Sequence, residues 1–371
     1  MPEAGSSAVT VHRARADIDI EALAGEAVAV LGYGNLGRTA ALNLRDSGVK
    51  VRIGNREDAY ADRARADGFD VVPLRTAATD DVIFVLLPDE VIPDVFVTDI
   101  APALRPGSAI AFASGYCLAF RLVQPPDAVD VLLVAPRMAG VTARERYLAG
   151  QGFWACVGVE ADRSGRARDR MLGLAGGLGA LRAGAIETSA AAEATLDLFV
   201  EQTVGPLVGA AIMTAFEVGR EAGIAPEALV MEMYMSGEME GVFEGFRKAG
   251  LFRASEEHGP TAMFGGIIRT LDLDREALAS RFRSVLEGIT SGRFAQQFEQ
   301  EARNGYPMLG VARELMKGNS PITDAEAALR EAAGMPASPR NEARRLYIRK
   351  RVSGKPGQRS NVVGREVESA E

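Results

Sequence analysis

A chain of 371 residues, 47% hydrophobic and 25% charged, has the composition of a globular protein long enough for two domains. Its net charge of −8 and pI near 5.2 argue against sequence-independent nucleic-acid binding, which needs a basic face. Two cysteines, Cys117 and Cys156, cannot form a disulfide scaffold and fit a reducing cytoplasm. No uninterrupted apolar run approaches the ~20 residues of a membrane span, and the N-terminus lacks the apolar core of a secretory signal. The expected partner is therefore a small molecule, met in the cytoplasm, with neither nucleic acid nor membrane involved.

Residues 1–24 are small and polar and read as a flexible lead-in. "EAVAVLGYGNLG" then reads as a buried strand running into a glycine turn, and "RTAALNLRDSG" as a helix ending at Gly48. "VKVRIGNRE" is a second strand and "DAYADRARADGF" a second helix. "DDVIFVLLPDE" is almost continuously apolar, as a strand is when helices cover both faces of a parallel sheet. "GSAIAFASG", "VDVLLVAPR" and "FWACVGV" add strands, and "RARDRMLGLAGGLG" a helix. The alternation predicts a doubly wound α/β domain with a parallel sheet over residues 25–182.

From residue 183 to about 325 the periodicity is helical, without a convincing strand. "AAEATLDLFVEQTVGPLVGAAIMTAFEVGREAG" predicts one long helix, and "APEALVMEMYMSGEMEGVFEGFRKAG" a second with Pro226 at its start. "REALASRFRSVLEGITSGRFAQQFEQEARNG" adds at least two more. Residues 326–371 form a polar tail, expected to be partly disordered.

The turn "GYGNLG" carries chemistry because it follows a strand and opens a helix. Gly32 permits the tight turn, Gly34 lets a pyrophosphate approach the backbone, and Gly37 lets helix and strand pack closely. The helix N-terminus supplies N–H donors for phosphate. Gly32, Tyr33, Gly34, Asn35, Leu36 and Gly37 are thus candidate cofactor contacts. The second strand ends in "IGNRED", where the adenosine ribose is met. Arg56 suits a 2′-phosphate, whereas Glu57 and Asp58 suit free ribose hydroxyls. Because Asn55 and Arg56 come first, the preferred cofactor is NADPH, with NADH the alternative.

In "EATLDLFVEQTVGP", Asp197 and Glu201 sit among apolar residues at i, i+4, which puts both carboxylates on one helix face. That spacing suits a joint grip on a hard dication, and equally a solvated stripe.

Together these stretches resemble ketol-acid reductoisomerase, also called acetohydroxyacid isomeroreductase. The similar pieces are "VAVLGYGNLGRTAALNLRDSGVKVRIG", "LLPDEV", "IAPALRPGSAIAFASGY", "PPDAVDVLLVAPR", "RAGAIETS", "EATLDLFVEQ" and "SGRFAQQFEQEARNGYP", in the family's order over roughly residues 10–315. The resemblance implies a Rossmann domain followed by a knotted all-helical domain, NADPH, two Mg2+ ions and a homodimer formed through the helical domain. It implies two half-reactions: alkyl migration within a 2-aceto-2-hydroxy acid, then hydride reduction of the 2-keto group. It assigns Asp197 and Glu201 to the first metal pair, with Asp197 bridging, and Glu232 to the second acidic helix. Leu87 and Pro88 in "LLPDEV" join the cofactor contacts.

Several positions depart from the family's pattern. Ser114 in "FASG" stands where the family has histidine, and Arg137 in "VAPRMAG" where it has lysine. An arginine positions or stabilises charge but does not give up a proton. Ser236 stands where a further glutamate is expected. On a continuous helix Glu240 would share its face, offset by roughly 40°, one turn too far along. The substrate-gripping serine region reads "FRASEEHGPTAMFGG", with Ser255 and Thr261 as candidates and His258 either a surface residue or a replacement proton donor. Met231, Met233, Met235 and Met239 read as flexible core filling. Asp197, Glu201, Glu232, Arg137 and Ser114 are the expected catalytic set. The expected activity is Mg-assisted, NAD(P)H-dependent reduction of a 2-keto acid or related carbonyl or imine, with alkyl migration weak or absent, in specialised metabolism. The alternatives are a working ketol-acid reductoisomerase acting on 2-acetolactate and a non-catalytic nucleotide-binding protein.

Overall fold

The structure, a computed structural model, describes residues 9–13, 21–254, 259–317 and 320–335. Most of the expected lead-in and tail lie outside the described residues, as do Ser255 and His258. The chain divides into two compact units, Met1–Leu198 and Phe199–Glu371.

The first unit is built on a nine-stranded sheet: β1 (Val11–His12), β2 (Ala27–Leu31), β3 (Lys50–Gly54), β4 (Val71–Val72), β5 (Val82–Val85), β6 (Ala109–Phe112), β7 (Asp130–Pro136), β8 (Trp154–Ala161) and β9 (Gly184–Glu187). The spatial order is β1-β9-β8-β7-β6-β5-β2-β3-β4. All pairs from β7 through to β4 are parallel. β8 runs antiparallel to β7, and β1 antiparallel to β9. The sheet is therefore Rossmann-like and mostly parallel, with β8 and β9 running opposite to the rest.

Strands β2, β5 and β6 read "AVAVL", "VIFV" and "AIAF" and are buried on both faces. Each such Val, Ile, Leu or Phe contributes about 1.5–3 kcal/mol of burial, so these short strands anchor the core. Helices Asn35–Asp46 and Ala167–Leu178 cross one another closely: a Cβ on Gly177 would lie 2.8 Å from Leu44 Cδ2, and Asn43 Nδ2 donates to the Leu178 carbonyl at 3.0 Å.

Three strands were not expected. β1 and β4 have two residues each and β9 has four, too short for alternation to register. β9 begins at Gly184, where the sequence suggested that strands had ended. There Gly184 takes φ +139, and a Cβ would meet the Trp154 ring at 2.7 Å. His12 on β1 is tied to Glu187 on β9 at 2.7 Å, and Arg168 holds the same carboxylate.

A buried charge network ties one edge of this unit together. Arg170 reaches Glu26 at 3.0 Å and Asp130 at 2.9 Å, with all three side chains at least nine-tenths buried. Burial alone would push the Asp130 carboxyl up, but donors from Ser164, Arg163 and Arg170 bring it below the ordinary range.

The second unit is helical. Helix Ala190–Glu221 enters it from the first unit and contains Pro206. Phe216, Val230 and Ala325 form a small core, with Met233, Met235 and Leu229 packed against it. Met231 and Met239 are instead exposed, against the expectation of core filling. The expected long helix from Pro226 is interrupted. Pro226–Val230 passes into a wide π-type turn at Met231–Met235, Gly237 takes φ +85, and a new helix runs over Glu238–Ala249. Left-handed backbone at Gly237 resets the helical phase, so the expectation that Glu240 shares a face with Ser236 fails. Helices Pro260–Asp272, Arg275–Thr290, Arg293–Arg303 and Pro307–Lys317 follow. Pro321–Ala332, capped by Ser320 and Thr323, continues past residue 325.

Helix Ala190–Glu221 has 32 residues and a mean hydropathy of 1.3 over its most apolar window, enough by length and composition to cross a membrane. The sequence reading, which sought an uninterrupted apolar run, expected no such segment.

Candidate functional site

The carboxyl ends of the parallel strands carry most of the candidate residues. Chain order runs outward from β2 through β3 to β4 on one side and from β5 through β6 to β7 on the other. The switch between β2 and β5 opens the crevice in which doubly wound sheets bind nucleotides.

At the end of β2, Gly32 adopts φ +93, and a Cβ there would lie 2.8 Å from the Leu86 carbonyl and 3.0 Å from Leu87 Cδ2. A Cβ on Gly37 would lie 2.1 Å from the Gly32 carbonyl. Around Gly34 nothing lies within 4 Å. Two glycines are thus required by the protein's own packing, while the third leaves an open surface at the start of helix Asn35–Asp46. That combination fits a dinucleotide pyrophosphate. Leu87 stands beside the loop, and Pro88 is exposed just after it.

Tyr33 is 1% exposed. Its hydroxyl donates to Asp67 Oδ2 at 2.8 Å and its ring meets Phe69 edge-on. The side chain therefore anchors the loop from beneath, and only its backbone is left to face a nucleotide. Burial raises its phenol pKa, with the Asp67 hydrogen bond adding to the effect. Asp67 is held below the usual carboxylate range, first by Arg38. On the other side, Thr39 Oγ1 donates to the Gly140 carbonyl at 2.6 Å, and a Cβ on Gly140 would lie 2.4 Å from the Asn35 carbonyl. The glycine loop is fixed to the segment just after Arg137. Asn35 is exposed and Leu36 half-buried.

At the end of β3, Asn55 is buried and donates to the Arg56 carbonyl and to Asp58 Oδ1. Asp58 caps helix Ala59–Ala66 by accepting from Tyr60 and Ala61, and its other oxygen takes Arg56 Nε at 2.7 Å. Glu57 pairs with Arg65 at 2.6 Å. Both acidic candidates are engaged in local structure, and the Arg56 side chain is 66% exposed.

The densest cluster lies at the ends of β6 and β7. Arg137 Nη1 donates to Asp197 Oδ1 at 2.6 Å, Nη2 to Glu193 Oε1 at 2.5 Å, and Nε to the Ala135 carbonyl at 3.3 Å. The second oxygen of Glu193 accepts from the Gly115 N–H at 2.6 Å. A Cβ on Gly115 would be 2.1 Å from the Ala190 carbonyl, so this turn admits glycine alone. Ser114 precedes it, and its Oγ accepts from Tyr116 N at 3.2 Å. Helix Ala190–Glu221 is started here by Glu160, which accepts from Ala190 N at 2.6 Å, and by Ser189, which accepts from Ala192 N.

Glu193 was missed by the sequence reading. Its side chain is wholly buried, and burial pushes its carboxyl up against the pull of Arg137 and the Gly115 N–H. The available signal was spacing: Glu193, Asp197 and Glu201 follow one another at i, i+4, i+8. Arg137 and Asp197 are brought together, with side-chain exposures of 24% and 39%.

Glu201, Glu232 and Ser236 belong to the second unit and are exposed there. Thr261 is exposed on helix Pro260–Asp272. Among the described residues no three His, Cys, Asp or Glu side chains stand together as a metal centre. Asp197 and Glu201, one helical turn apart, are hard oxygen donors of the kind Mg2+ takes one or two of while keeping several waters. The donor chemistry fits that ion.

Residues 22–184 match the acetohydroxy acid isomeroreductase NADPH-binding domain, and residues 191–334 the ketol-acid reductoisomerase C-terminal domain. The chain is 38% identical over 308 residues to ketol-acid reductoisomerase (NADP(+)) of Pyrobaculum arsenaticum, covering 82% of this chain and 93% of that protein. The solved structure of an NADH-preferring ketol-acid reductoisomerase from an uncultured archaeon superposes with TM-score 0.81 at 32% identity, covering 87% of this chain and 98% of that one. The chain belongs to the ketol-acid reductoisomerase family of NAD(P)-dependent oxidoreductases.

Proposed function

We propose that this protein reduces a 2-keto acid or a related carbonyl or imine with NADPH, assisted by Mg2+, and that its alkyl-migration activity is weak or lost. The observation that carries the reading is Arg137, fixed between Glu193 and Asp197 and unable to move a proton. Alkyl migration needs a base for the substrate hydroxyl and exacting placement of two oxygens, whereas hydride delivery needs orientation and charge stabilisation, the product alkoxide taking its proton from solvent water. When bound, NADPH would supply the hydride and Mg2+ would supply Lewis-acid polarisation of a substrate oxygen.

The chain's own groups do the rest. The Gly32–Gly37 loop takes the pyrophosphate, with Leu87 and Pro88 beside it, and Arg56 takes the 2′-phosphate, Asn55 shaping the loop beneath. Asp197, Glu201 and Glu232 supply carboxylates for the metal. Arg137 orients Asp197 and adds positive charge, and Ser114 stands at the turn braced by Glu193. Purified protein with NADPH and Mg2+ should turn over 3-hydroxy-3-methyl-2-oxobutanoate much faster than 2-acetolactate. Comparable turnover of both would overturn the reading. The alternative, a full reductoisomerase acting on 2-acetolactate, is favoured by the coverage of relatives that carry that name.

A cytoplasmic homodimer, its helical half following the knotted path the resemblance implies, belongs to the same proposal, as does a place in specialised metabolism. Leu196, Val200, Val204 and Val208 recur every fourth residue on helix Ala190–Glu221 and are 41–50% exposed. Burial of this stripe against a second copy accounts for its membrane-like hydropathy. Light scattering should give twice the chain mass, and a monomer at micromolar concentration would refute the dimer.

A further inference from the structure

Arg137 is the charged side chain that the site geometry constrains most. Three donors of its guanidinium are spent on three acceptors: the Ala135 carbonyl, Glu193 and Asp197. Glu193 is buried and shares its remaining oxygen with the Gly115 N–H. It is consumed by the protein and is no candidate ligand. Asp197 is different: it is 39% exposed, and its Oδ1 is the oxygen that Arg137 takes. This hydrogen-bonded cluster of the first unit thus holds two carboxylates and one guanidinium, so that Glu193 and Arg137 offset each other and the net negative charge is that of Asp197 itself.

We infer that Arg137 is a resident cation that competes with the divalent ion for Asp197 and so sets the metal affinity of the site. This rests on the proposed role of Asp197 as a metal ligand. A dication approaching Asp197 meets an oxygen already engaged in a charge-assisted hydrogen bond. It also meets a positive charge one hydrogen bond away, and like charges at that range in a partly buried site repel appreciably. The ion therefore binds either through the remaining lone pairs of Asp197, beside the guanidinium, or by displacing it. Both routes weaken binding relative to a free carboxylate.

The test is direct titration of the full-length protein with Mn2+, read by the loss of the free-ion signal in electron paramagnetic resonance. Three variants are compared with the wild type: Arg137→Gln, the double variant Arg137→Gln with Glu193→Gln, and Asp197→Asn. The inference expects Arg137→Gln to bind Mn2+ at least tenfold more tightly and Asp197→Asn to lose high-affinity binding. The double variant leaves no buried carboxylate without its cation, and the amide oxygen introduced by Glu193→Gln still accepts from the Gly115 N–H. It carries the test should the single variant not fold, with tightening of about threefold or more, since one negative charge is removed along with the positive one. Mn2+ affinity unchanged or weakened in folded Arg137 variants, with Asp197→Asn still abolishing binding, overturns this inference and leaves Asp197 as a ligand. Wild-type Mn2+ affinity in Asp197→Asn overturns the inference and the assignment of Asp197 as a ligand together.

Discussion

The three glycines of the β2 turn do different jobs, and substituting each with alanine should separate folding from cofactor binding. Gly34 has φ −70, an ordinary conformation for any L-residue, and open space where a Cβ would sit. Gly34→Ala should leave the cofactor-free protein within about 1 kcal/mol of wild type, because removing a glycine also restricts the unfolded chain. Its methyl occupies the surface that the pyrophosphate approaches. Displacing one charge-assisted hydrogen bond to phosphate costs about 1.5–3 kcal/mol, a roughly ten- to hundredfold rise in Kd. Gly37→Ala instead forces a Cβ to 2.1 Å from the Gly32 carbonyl, so the fold itself must shift. Overpacking of that kind costs about 1–3 kcal/mol. Thermal melts with and without NADPH read both effects. At about 100 times the wild-type Kd, NADPH stabilises the wild type by about 2.7 kcal/mol and Gly34→Ala by about 0.4–1.4 kcal/mol. At about 2–4 °C per kcal/mol, the shifts are about 5–11 °C against about 1–6 °C. Gly37→Ala should melt lower even without cofactor. A Gly34→Ala protein with wild-type NADPH affinity would refute the claim that the open surface receives phosphate.

The buried charge network gives a second test: Arg170→Met leaves Glu26 and Asp130 without their shared cation and should lower stability by about 3–5 kcal/mol in chemical denaturation. Asp130 also predicts an acid limb. Its folded pKa is depressed, so its stabilisation is complete above the ordinary carboxylate pKa near 4 and fades as pH falls through the lower folded value. Melting temperature should drop below about pH 4, and Asp130→Asn should flatten that drop while lowering stability at neutral pH. Tyr33→Phe removes only the hydroxyl bonded to Asp67, and should cost about 1 kcal/mol of stability with NADPH affinity within a few fold of wild type. A large loss of affinity would mean that the phenol itself reaches the nucleotide.

Much of this architecture was legible because the signals were local. An apolar run followed by "GYGNLG" specifies strand, turn and helix within a dozen residues, and the structure adds the reason: the Gly32 carbonyl leaves no room for a Cβ on Gly37, and the Leu86 carbonyl none for one on Gly32. Strands of two residues, such as Val71–Val72, and the reversed direction of β8 left no comparable trace, since pairing direction is decided by partners distant in sequence. The broken helix at Gly237 was misread for a related reason. A glycine inside a helical pattern signals either a tolerated defect or a left-handed break, and "MSGEME" does not say which.

The site follows the same rule with a sharper consequence. Asp197 was visible because carboxylates interrupt an apolar helix, but Glu193 lies in a run of alanines that reads as an ordinary helix start. What makes Glu193 important is long-range: a guanidinium from the end of β7 and an amide from the turn after β6 converge on its two oxygens. Burial then makes that carboxylate expensive to keep charged without both donors. The three groups therefore stand or fall together. A substitution at any one of them should disturb the other two in a way that single-position reasoning does not anticipate, and double-mutant cycles between Arg137→Gln and Glu193→Gln should show coupling of about 0.5–3 kcal/mol rather than additive losses.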